Sequence, residues 1–184
     1  VSAFCNAGFD LLGTWSGPYS SLMAFSADPI ILITTGLLIT FGGLGFLVFL
    51  DLFMFPKTKK LLFHSKLVLI MTLGILVAGT IAFVLLEWNN NEAGSMGSMS
   101  TGEKILAGFF QTVTLRTAGF NSISQTHLRD SSKLLSTLIM LIGASPISTG
   151  GGMKTTTIAI VLAATKSTVM GEGETRILGH RIRR

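Results

Sequence analysis

The sequence has few charged residues. Only 12% of its 184 residues are Asp, Glu, Lys or Arg, whereas 48% are hydrophobic, and the mean hydropathy is +0.63. A soluble domain averages about 25% charged residues. This scarcity excludes an ordinary soluble domain and predicts an integral membrane protein.

Groupings of reactive side chains are also scarce. The single cysteine, Cys5, excludes an internal disulfide framework and a cysteine-type metal cluster. The hydrophobic segments contain no paired carboxylates, no metal-ligand cluster and no nucleophile–base set. His64, His127 and His180 are isolated, with no metal-binding or catalytic spacing. We therefore predict that the protein is not an enzyme and has no cofactor.

The apolar residues form long runs. Leu67–Leu86 contains 20 residues without a charge, about 30 Å of helix, which matches one hydrocarbon core. Pro29–Phe55 is longer and carries only Asp51 near its end, and Leu134–Thr165 is long but interrupted. These runs predict an all-α, multi-pass membrane protein.

The charges outside the runs are unevenly distributed. Lys57–Lys66 and the tail from Lys166 to Arg184 are basic, whereas Glu87–Lys104 has three Glu and one Lys. The positive-inside rule places the basic segments in the cytoplasm and the Glu-bearing loop outside. We interpret the basic segments as topology signals, and we predict no nucleic-acid partner.

A short apolar segment resolves the number of crossings. Glu103–Leu115 is too short to span the membrane. The chain must cross the membrane an odd number of times between the outer loop and the basic tail. This condition is met if Glu103–Leu115 enters the membrane and returns on the same side. We predict a re-entrant half-helix at Glu103–Val113, opened by a Ser100–Glu103 capping box, and a return loop at Thr114–Ser124. An amphipathic surface helix is the alternative interpretation.

The return loop has the chemistry of a cation site. Non-helical backbone at membrane depth must face protein or a water-filled cavity. The C-terminal end of a half-helix carries partial negative charge, and Gly119 allows carbonyls to turn inward. Such carbonyls can replace the hydration shell of a cation.

An internal repeat accompanies this loop. The tripeptide A-G-F occurs at Ala7–Phe9 and at Ala118–Phe120, so Gly8 and Gly119 are 111 residues apart. A similar offset relates the two long runs, which carry glycine clusters at Phe41–Gly45 and Ser148–Lys154. The pattern indicates parallel repeats, although three common residues can also recur by chance.

The second long run cannot be one straight helix. Pro146 removes a backbone donor, Gly150–Gly152 weaken helix formation, and Lys154 adds a charge. Nearby hydroxyls can satisfy the freed backbone groups; they belong to Ser145, Ser148 and Thr149. The segment is either a polar gate or a packing kink whose lysine reaches the interface. It is not a phosphate-binding loop, because Met153 rather than glycine precedes the lysine.

Three segments together resemble a known family: SAFCNAGFDLLG, FQTVTLRTAGFNSIS and SPISTGGGMKTTTIAI. They are similar to the KtrB-type membrane subunit of the Trk/Ktr/HKT potassium transporters. That resemblance implies four span–pore-helix–span units around one central pore, of which this chain carries the end of the second and all of the third. Because the chain begins at Val1 inside a motif, we expect it to be part of a longer protein.

The resemblance implies the following organisation. Residues 1–66 hold the filter loop, second span and cytoplasmic loop of repeat two, residues 67–165 hold repeat three, and residues 166–184 form a basic cytoplasmic segment. Repeat three divides into a span (67–86), an external loop (87–102), a pore half-helix (103–113), a filter loop (114–124) and a broken span (134–165).

The resemblance also implies roles for individual residues. The ion selectivity filter, which binds potassium by backbone carbonyls, comprises Cys5, Asn6, Ala7, Gly8, Phe9, Thr117, Ala118, Gly119 and Phe120. The intramembrane gating loop lies within Gly143–Lys154 and includes Ser145, Pro146, Gly150, Gly151, Gly152 and Lys154. Electrostatics adds two expectations. A guanidinium inside a cation filter would repel potassium, so Arg116 is expected to lie behind the filter and brace it. Asp10 is either a solvated loop acid, which we favour, or a cation-attracting group at the outer mouth.

Function and partners follow from the same resemblance. It implies potassium uptake across the bacterial inner (plasma) membrane by a lipid-embedded homodimer bound to a cytosolic ring of nucleotide-binding regulatory subunits. Many members of that family are sodium-dependent. The alternative is a secondary transporter of another class, with discontinuous helices around a midplane ion site. That class often has inverted repeats, whereas these copies are parallel.

Overall fold

In a computed structural model, residues 1–17, 20–171, 175–177 and 180–182 are described. Most of the described chain is helical. The helices are α1 (Gly13–Ser16), α2 (Pro29–Leu44), α3 (Phe46–Thr58), α4 (Phe63–Glu87), α5 (Thr101–Thr114), α6 (Asp130–Leu141) and α7 (Thr155–Val169), with one 3₁₀ turn at Met23–Phe25.

Helix α4 is the longest, at 25 residues, and covers the predicted span Leu67–Leu86. Among the described residues it is the one single helix long and apolar enough to cross a membrane. Helices α2 and α3 pass the same test as a pair but are bent by 97° at Gly45. The first long run is thus two helices.

The bend in that run follows from its sequence. Helix α2 begins where the Asp28 side chain accepts hydrogen bonds from the amides of Ile30 and Ile31, with Pro29 in the first helical position. It ends at Leu44, and the next residue, Gly45, has a φ of +89°, in a region that other residues rarely adopt. The chain then turns directly into α3 without an intervening loop.

Helix α5 lies at the centre of the molecule. The predicted capping box is confirmed: Ser100 and Glu103 exchange hydrogen bonds at its first turn. Two hydrophobic clusters meet on it, with Ala107 in the cluster around Phe83 and with Phe110 and Val113 in the other. The helix therefore joins the N-terminal part of the chain to α4.

Small residues bring the neighbouring helices close to α5. A side-chain carbon at Gly36 of α2 would lie 3.0 Å from the Phe109 ring, and one at Gly79 of α4 would collide with Thr112. A side-chain carbon at Gly108 of α5 would lie 2.7 Å from Val84 Cγ2. Backbones approach closely where glycine removes the side chain, as is common between membrane helices.

The second long run is interrupted, as predicted. Helix α6 ends at Leu141, residues Ile142–Lys154 form an irregular segment, and α7 begins at Thr155. We call Ile142–Lys154 the inner loop. It is closed on itself by a parallel bridge between Ile142 and Met153.

The C-terminal end adds a feature that the sequence analysis did not predict. Strands β1 (Thr175–Ile177) and β2 (His180–Ile182) pair antiparallel, with Arg176 opposite Arg181. Isoleucine and threonine are β-branched and favour extended backbone, which the all-α expectation overlooked. The helical class holds for the described chain up to Val169.

Candidate functional site

The segment after α5 is fastened to the end of that helix. The Thr114 hydroxyl donates to the Phe120 carbonyl at 2.6 Å and accepts from the Phe120 amide at 2.8 Å. The Ala118 amide donates to the Thr114 carbonyl at 2.9 Å. One threonine thus closes Thr114–Phe120 into a compact loop and fixes where its peptide groups lie.

The two A-G-F segments share an unusual backbone. Asn6 and Gly8 have φ of +50° and +64°, and Thr117 and Gly119 have φ of +70° and +83°. The two residues of each pair are two positions apart, and each residue of the first pair lies 111 positions before its counterpart in the second. A positive φ is uncommon for asparagine and an outlier for β-branched threonine, so tertiary structure holds both loops in this shape.

The two loops also touch. A side-chain carbon at Gly8 would collide with the Ala118 carbonyl oxygen and lie 3.0 Å from the Gly119 Cα atom. The equivalent carbon at Gly119 would lie 3.5 Å from the Gly8 Cα atom. The glycines predicted from the repeat are therefore neighbours, and Gly8 is required by both its conformation and its surroundings.

Exposure differs along the two loops. Cys5, Ala7, Phe9 and Gly119 are exposed, and Thr117 is half-buried. Ala118 and Phe120 are buried in the cluster that contains Leu32 and Phe110. Ala118 and Phe120 thus anchor the second loop in the protein interior, whereas the exposed residues of both loops lie at an open surface.

The inner loop has its own internal hydrogen bonds. The Ala144 amide donates to the Gly151 carbonyl at 3.0 Å, and Ser148 Oγ donates to the Ser145 carbonyl at 2.6 Å. Lys154 Nζ donates to the Gly150 carbonyl at 2.8 Å. The lysine is half-buried and bonded within the loop, so its ammonium group is held by this backbone.

The inner loop docks on the last turn of α2. The amides of Ser145 and Thr149 donate to the carbonyls of Gly43 and Gly42 at 3.1 and 3.3 Å. Across the bend, the Phe46 amide donates to the Ile147 carbonyl at 2.9 Å. The predicted role of hydroxyls in satisfying freed backbone groups is confirmed for Ser148 and for Thr149, whose Oγ1 donates to Gly42 O at 3.1 Å.

The inner loop reaches both A-G-F segments as well. Thr149 Oγ1 also lies 3.1 Å from the Phe4 carbonyl oxygen, so its one hydrogen is shared between this oxygen and that of Gly42. The Gly151 amide donates to Thr117 Oγ1 at 2.9 Å. The structure thus joins three stretches that are far apart in the sequence: Phe4–Phe9, Thr117–Phe120 and the inner loop.

Arg116 lies behind these segments. It is 4% exposed, and its Nε and Nη2 atoms have no hydrogen-bond partner among the described residues. It lines a small enclosed space with Asn6, Thr40 and Gly43, and the Asn6 amide atoms are likewise unpartnered there. The guanidinium is therefore withdrawn from the exposed face of the loops.

A second polar cluster ties the segment between α4 and α5 to α6. The fully buried Glu87 carboxylate accepts hydrogen bonds from the Arg129 amide at 3.0 Å and from Asn90 Nδ2 at 2.5 Å. His127 Nδ1 bonds the Ala93 carbonyl at 2.7 Å. Asp10 serves its own loop by accepting from the amides of Leu12 and Ser21. Within the described ranges, no three His, Cys, Asp or Glu residues gather into a metal site.

Sequence reasoning missed several residues of this arrangement. The sequence pattern places Thr114 in the return loop without a role of its own, and it gives no role to the carbonyls of Phe4, Gly42 and Gly43. A hydroxyl at the last turn of a half-helix, directly before a glycine-containing loop, is a signal that could have identified Thr114. The carbonyl contacts have no sequence signal, because any residue supplies the same group.

Comparison with known proteins gives consistent matches. The model of the TrkH family, described as cation transport protein, matches residues 1–184. The chain is 42% identical over 167 residues to the Ktr system potassium uptake protein B of Vibrio alginolyticus, covering 90% of this chain and 35% of that protein. It is 36% identical over 183 residues to the potassium/sodium uptake protein NtpJ of Enterococcus hirae, covering 100% and 39%.

A solved structure has the same fold. The crystal structure of the potassium transporter TrkH from Vibrio parahaemolyticus matches with a TM-score of 0.74 at 20% identity, covering 98% of this chain and 38% of that one. The chain therefore spans between about one third and two fifths of the length of each of these relatives.

Proposed function

The chain belongs to the TrkH family of cation transport proteins, integral proteins of the plasma membrane, and on that premise we propose that its parent takes up potassium through a carbonyl-lined selectivity filter. In this proposal Cys5–Phe9 and Thr117–Phe120 are filter loops of two repeats. One observation carries it: Gly8 and Gly119, equivalent in the repeat, share positive φ and lie against each other.

The backbone of these loops suits cation binding. Positive φ at every second residue rotates the peptide planes so that successive carbonyls can face one side. A ring of such carbonyls replaces the hydration shell of potassium. The exposed Gly119 and the exposed stretch at Cys5 and Ala7 support this role, because they leave backbone accessible on the open surface.

Helix α5 would act as the pore half-helix. Its C-terminal end leads directly into the Thr117–Phe120 loop, where the partial negative charge of the helix favours a cation. The fastening by Thr114 keeps that loop at the helix end. This supports a re-entrant element, and the predicted division of residues 67–165 into a single repeat remains part of the proposal.

The inner loop would be the gate. It contacts the Thr117–Phe120 loop through Gly151, and through Thr149 it contacts Phe4, the residue directly before the Cys5–Phe9 loop. Helices α6 and α7 end on either side of it. Lys154 is held by Gly150 within this loop, which would place a positive charge on the route of a cation. Moving the loop aside would clear that route, whereas a simple packing kink would need no contact with the filter.

Arg116 would brace the filter from behind. Its unpartnered donors call for an acceptor, and we propose a carboxylate from a part of the parent protein outside this chain. Burial without such a partner is costly for a guanidinium.

Coupling ions and partners belong to the same proposal. One relative is described as a potassium/sodium uptake protein, which supports sodium as a second transported or coupling ion. Two relatives are described as components of Ktr systems, which supports a multi-subunit assembly. We propose a homodimer of the full-length subunit, embedded in lipid and bound to a cytosolic nucleotide-binding ring.

The test is potassium or rubidium uptake by the full-length parent in cells that lack their own uptake systems. We expect Gly119→Ser to lower the preference for potassium over sodium by at least about tenfold, because a side chain at φ +83° strains the carbonyls. Gly102→Ala is the control, since nothing lies within 4 Å of its added carbon. Unchanged selectivity in Gly119→Ser would favour a secondary transporter of another class.

A further inference from the structure

Two glutamines hold the segment that follows the Thr117–Phe120 loop. Gln111 of α5 donates through Nε2 to Gln125 Oε1 at 2.8 Å, and Gln125 Nε2 donates back to Gln111 Oε1 at 3.0 Å. Gln125 Nε2 also donates to the Ile123 carbonyl at 3.2 Å. Gln111 is fully buried, and Gln125 is half-buried. The two carboxamides thus satisfy each other and join α5 to the chain beyond the loop.

The glutamine pair is a second clamp around the one made by Thr114. The Thr114 hydroxyl bonds both backbone polar groups of Phe120 and closes residues 114–120, whereas the glutamines close residues 111–125. Gln111 and Thr114 are three residues apart in α5, so they lie on the same face of the helix. Both clamps therefore act across the same gap, between the last turn of α5 and the returning chain.

We propose that the Gln111–Gln125 pair positions the carbonyls of the Thr117–Phe120 loop and thereby sets the preference for potassium over sodium. The size of a carbonyl site and the field at its centre both depend on where the backbone is held. The Thr114 clamp closes the loop on itself, and the glutamine pair holds the departing chain against α5. Both glutamines are positioning residues, because they act through the loop. The proposal rests on the filter role proposed for Thr117–Phe120 and adds the side chains that hold it.

The chemistry of the pair supports a positioning role. A buried polar group is destabilising unless its hydrogen bonds are made, and a methionine or leucine would fill the same volume without that requirement. Gln111 lies next to Phe110 in α5, which belongs to an apolar cluster. A buried polar network in which every member is satisfied rigidifies its surroundings and specifies one arrangement. Two amides that bond reciprocally fix direction and distance, which apolar contacts do not.

The first filter loop is held in a different way. The Asp10 carboxylate accepts from the amides of Leu12 and Ser21 at 3.0 and 3.3 Å. At the offset of 111, the counterpart of Gln125 is Thr14, which is an exposed residue of α1. The two loops share their backbone conformation but not the amide clamp, so its loss acts on the second loop alone.

The experiment measures the rubidium-over-sodium preference of the full-length parent in proteoliposomes, together with its unfolding temperature. Gln111→Met and Gln125→Met each remove the reciprocal bonds and keep the length of the side chain. We expect each variant to lower the preference about fivefold, because the net effect of one hydrogen bond shifts an equilibrium by about that factor. The double variant should also fall about fivefold, whereas two independent residues would together give about 25-fold.

Two further variants complete the set. Gln125→Asn keeps the carboxamide on a side chain that is one carbon shorter, and it should lose preference as Gln125→Met does. Asn89→Met is the matched control, because it replaces an exposed amide by the same residue, and it should match the parent.

The outcomes separate the clamp from the filter. Parent-like preference in both single methionine variants would overturn the proposal, as would a lower unfolding temperature with unchanged preference, which marks a purely structural pair. A loss of about 25-fold in the double variant would also overturn it. If Gln111→Met is not recovered as a monodisperse protein, parent-like preference in Gln125→Met and Gln125→Asn would be decisive against it. Failure of the filter itself would appear separately, as unchanged preference in Gly119→Ser.

Discussion

The chain interrupts two apolar runs, and it does so in different ways. The first run turns by 97° at Gly45, with α3 starting at the very next residue. The second opens into the inner loop, Ile142–Lys154, before the chain resumes as α7. Both interruptions carry glycine clusters, yet one is a hinge of a single residue and the other is an inserted segment.

The difference shows that the two interruptions complete each other. A helix that ends inside the molecule leaves its last carbonyls without partners. At the end of α2, the carbonyls of Gly42 and Gly43 accept hydrogen bonds from Thr149 and Ser145 of the inner loop. The hinge thus supplies acceptors and the inner loop supplies donors. If both runs bent at a single residue, the carbonyls at the end of α2 would lack these donors.

The strongest way to break this pairing is Gly45→Ala. The added carbon would collide with the Pro146 carbonyl oxygen and would sit at φ +89°. Left-handed backbone costs about 1–2 kcal/mol, and overpacking adds about 1–3 kcal/mol. We expect a clear fall in the unfolding temperature of the detergent-solubilised parent. Gly74→Ala, with nothing within 4 Å, is the control, and equal melting of the two variants would contradict the pairing.

Lys154→Met should have the next largest effect, and it acts on the inner loop alone. It removes the 2.8 Å hydrogen bond from Nζ to the Gly150 carbonyl, and bonds from charged donors contribute about 1.5–3 kcal/mol. A loop without this bond should open more readily, so basal rubidium flux should increase. Lys133→Met is the matched control, because its ion pair with Asp130 is exposed. Equal flux in both variants would remove Lys154 from the gate.

Gly151→Ala should have the smallest effect and sharpens the contrast with Gly45. No positive φ is required at Gly151, and an added carbon would meet only Thr117 Cγ2, at 3.9 Å. The amide that donates to Thr117 remains in place. We expect stability to change by less than about 1 kcal/mol and flux to stay near that of the parent. A large loss would show that the inner loop depends on glycine flexibility at this residue.

Local features of the fold could be predicted from the sequence. The capping box at Ser100 and the break around Pro146 rest on nearby residues, and both are present in the structure. The bend at Gly45 could not be predicted as such. A glycine permits that φ, but the contacts with Pro146 and Ile147 that accompany it come from a segment about 100 residues later.

The A-G-F tripeptide shows the same limit for the site. Its letters also occur at Ala107–Phe109, inside α5, where Gly108 is helical and permits close packing against Val84. At Ala7–Phe9 and Ala118–Phe120 the glycine has positive φ instead. The tripeptide alone therefore does not identify a loop. The contact between the two loops and the missing partners of the Arg116 guanidinium required three-dimensional information.

The right-angled turn at Gly45 has a mechanical consequence. Helix α3 has 13 residues, so it is an arm about 20 Å long that projects sideways from the end of α2. A rotation of about ten degrees at the turn would sweep its far end through about 3.5 Å. The pivot abuts Pro146 and Ile147 of the inner loop, and the far end leads into the basic stretch Lys57–Lys66. A small displacement at the pivot would therefore be amplified at the lysine-rich end of the arm, and a force applied at that end would act on the pivot over the full length of the arm.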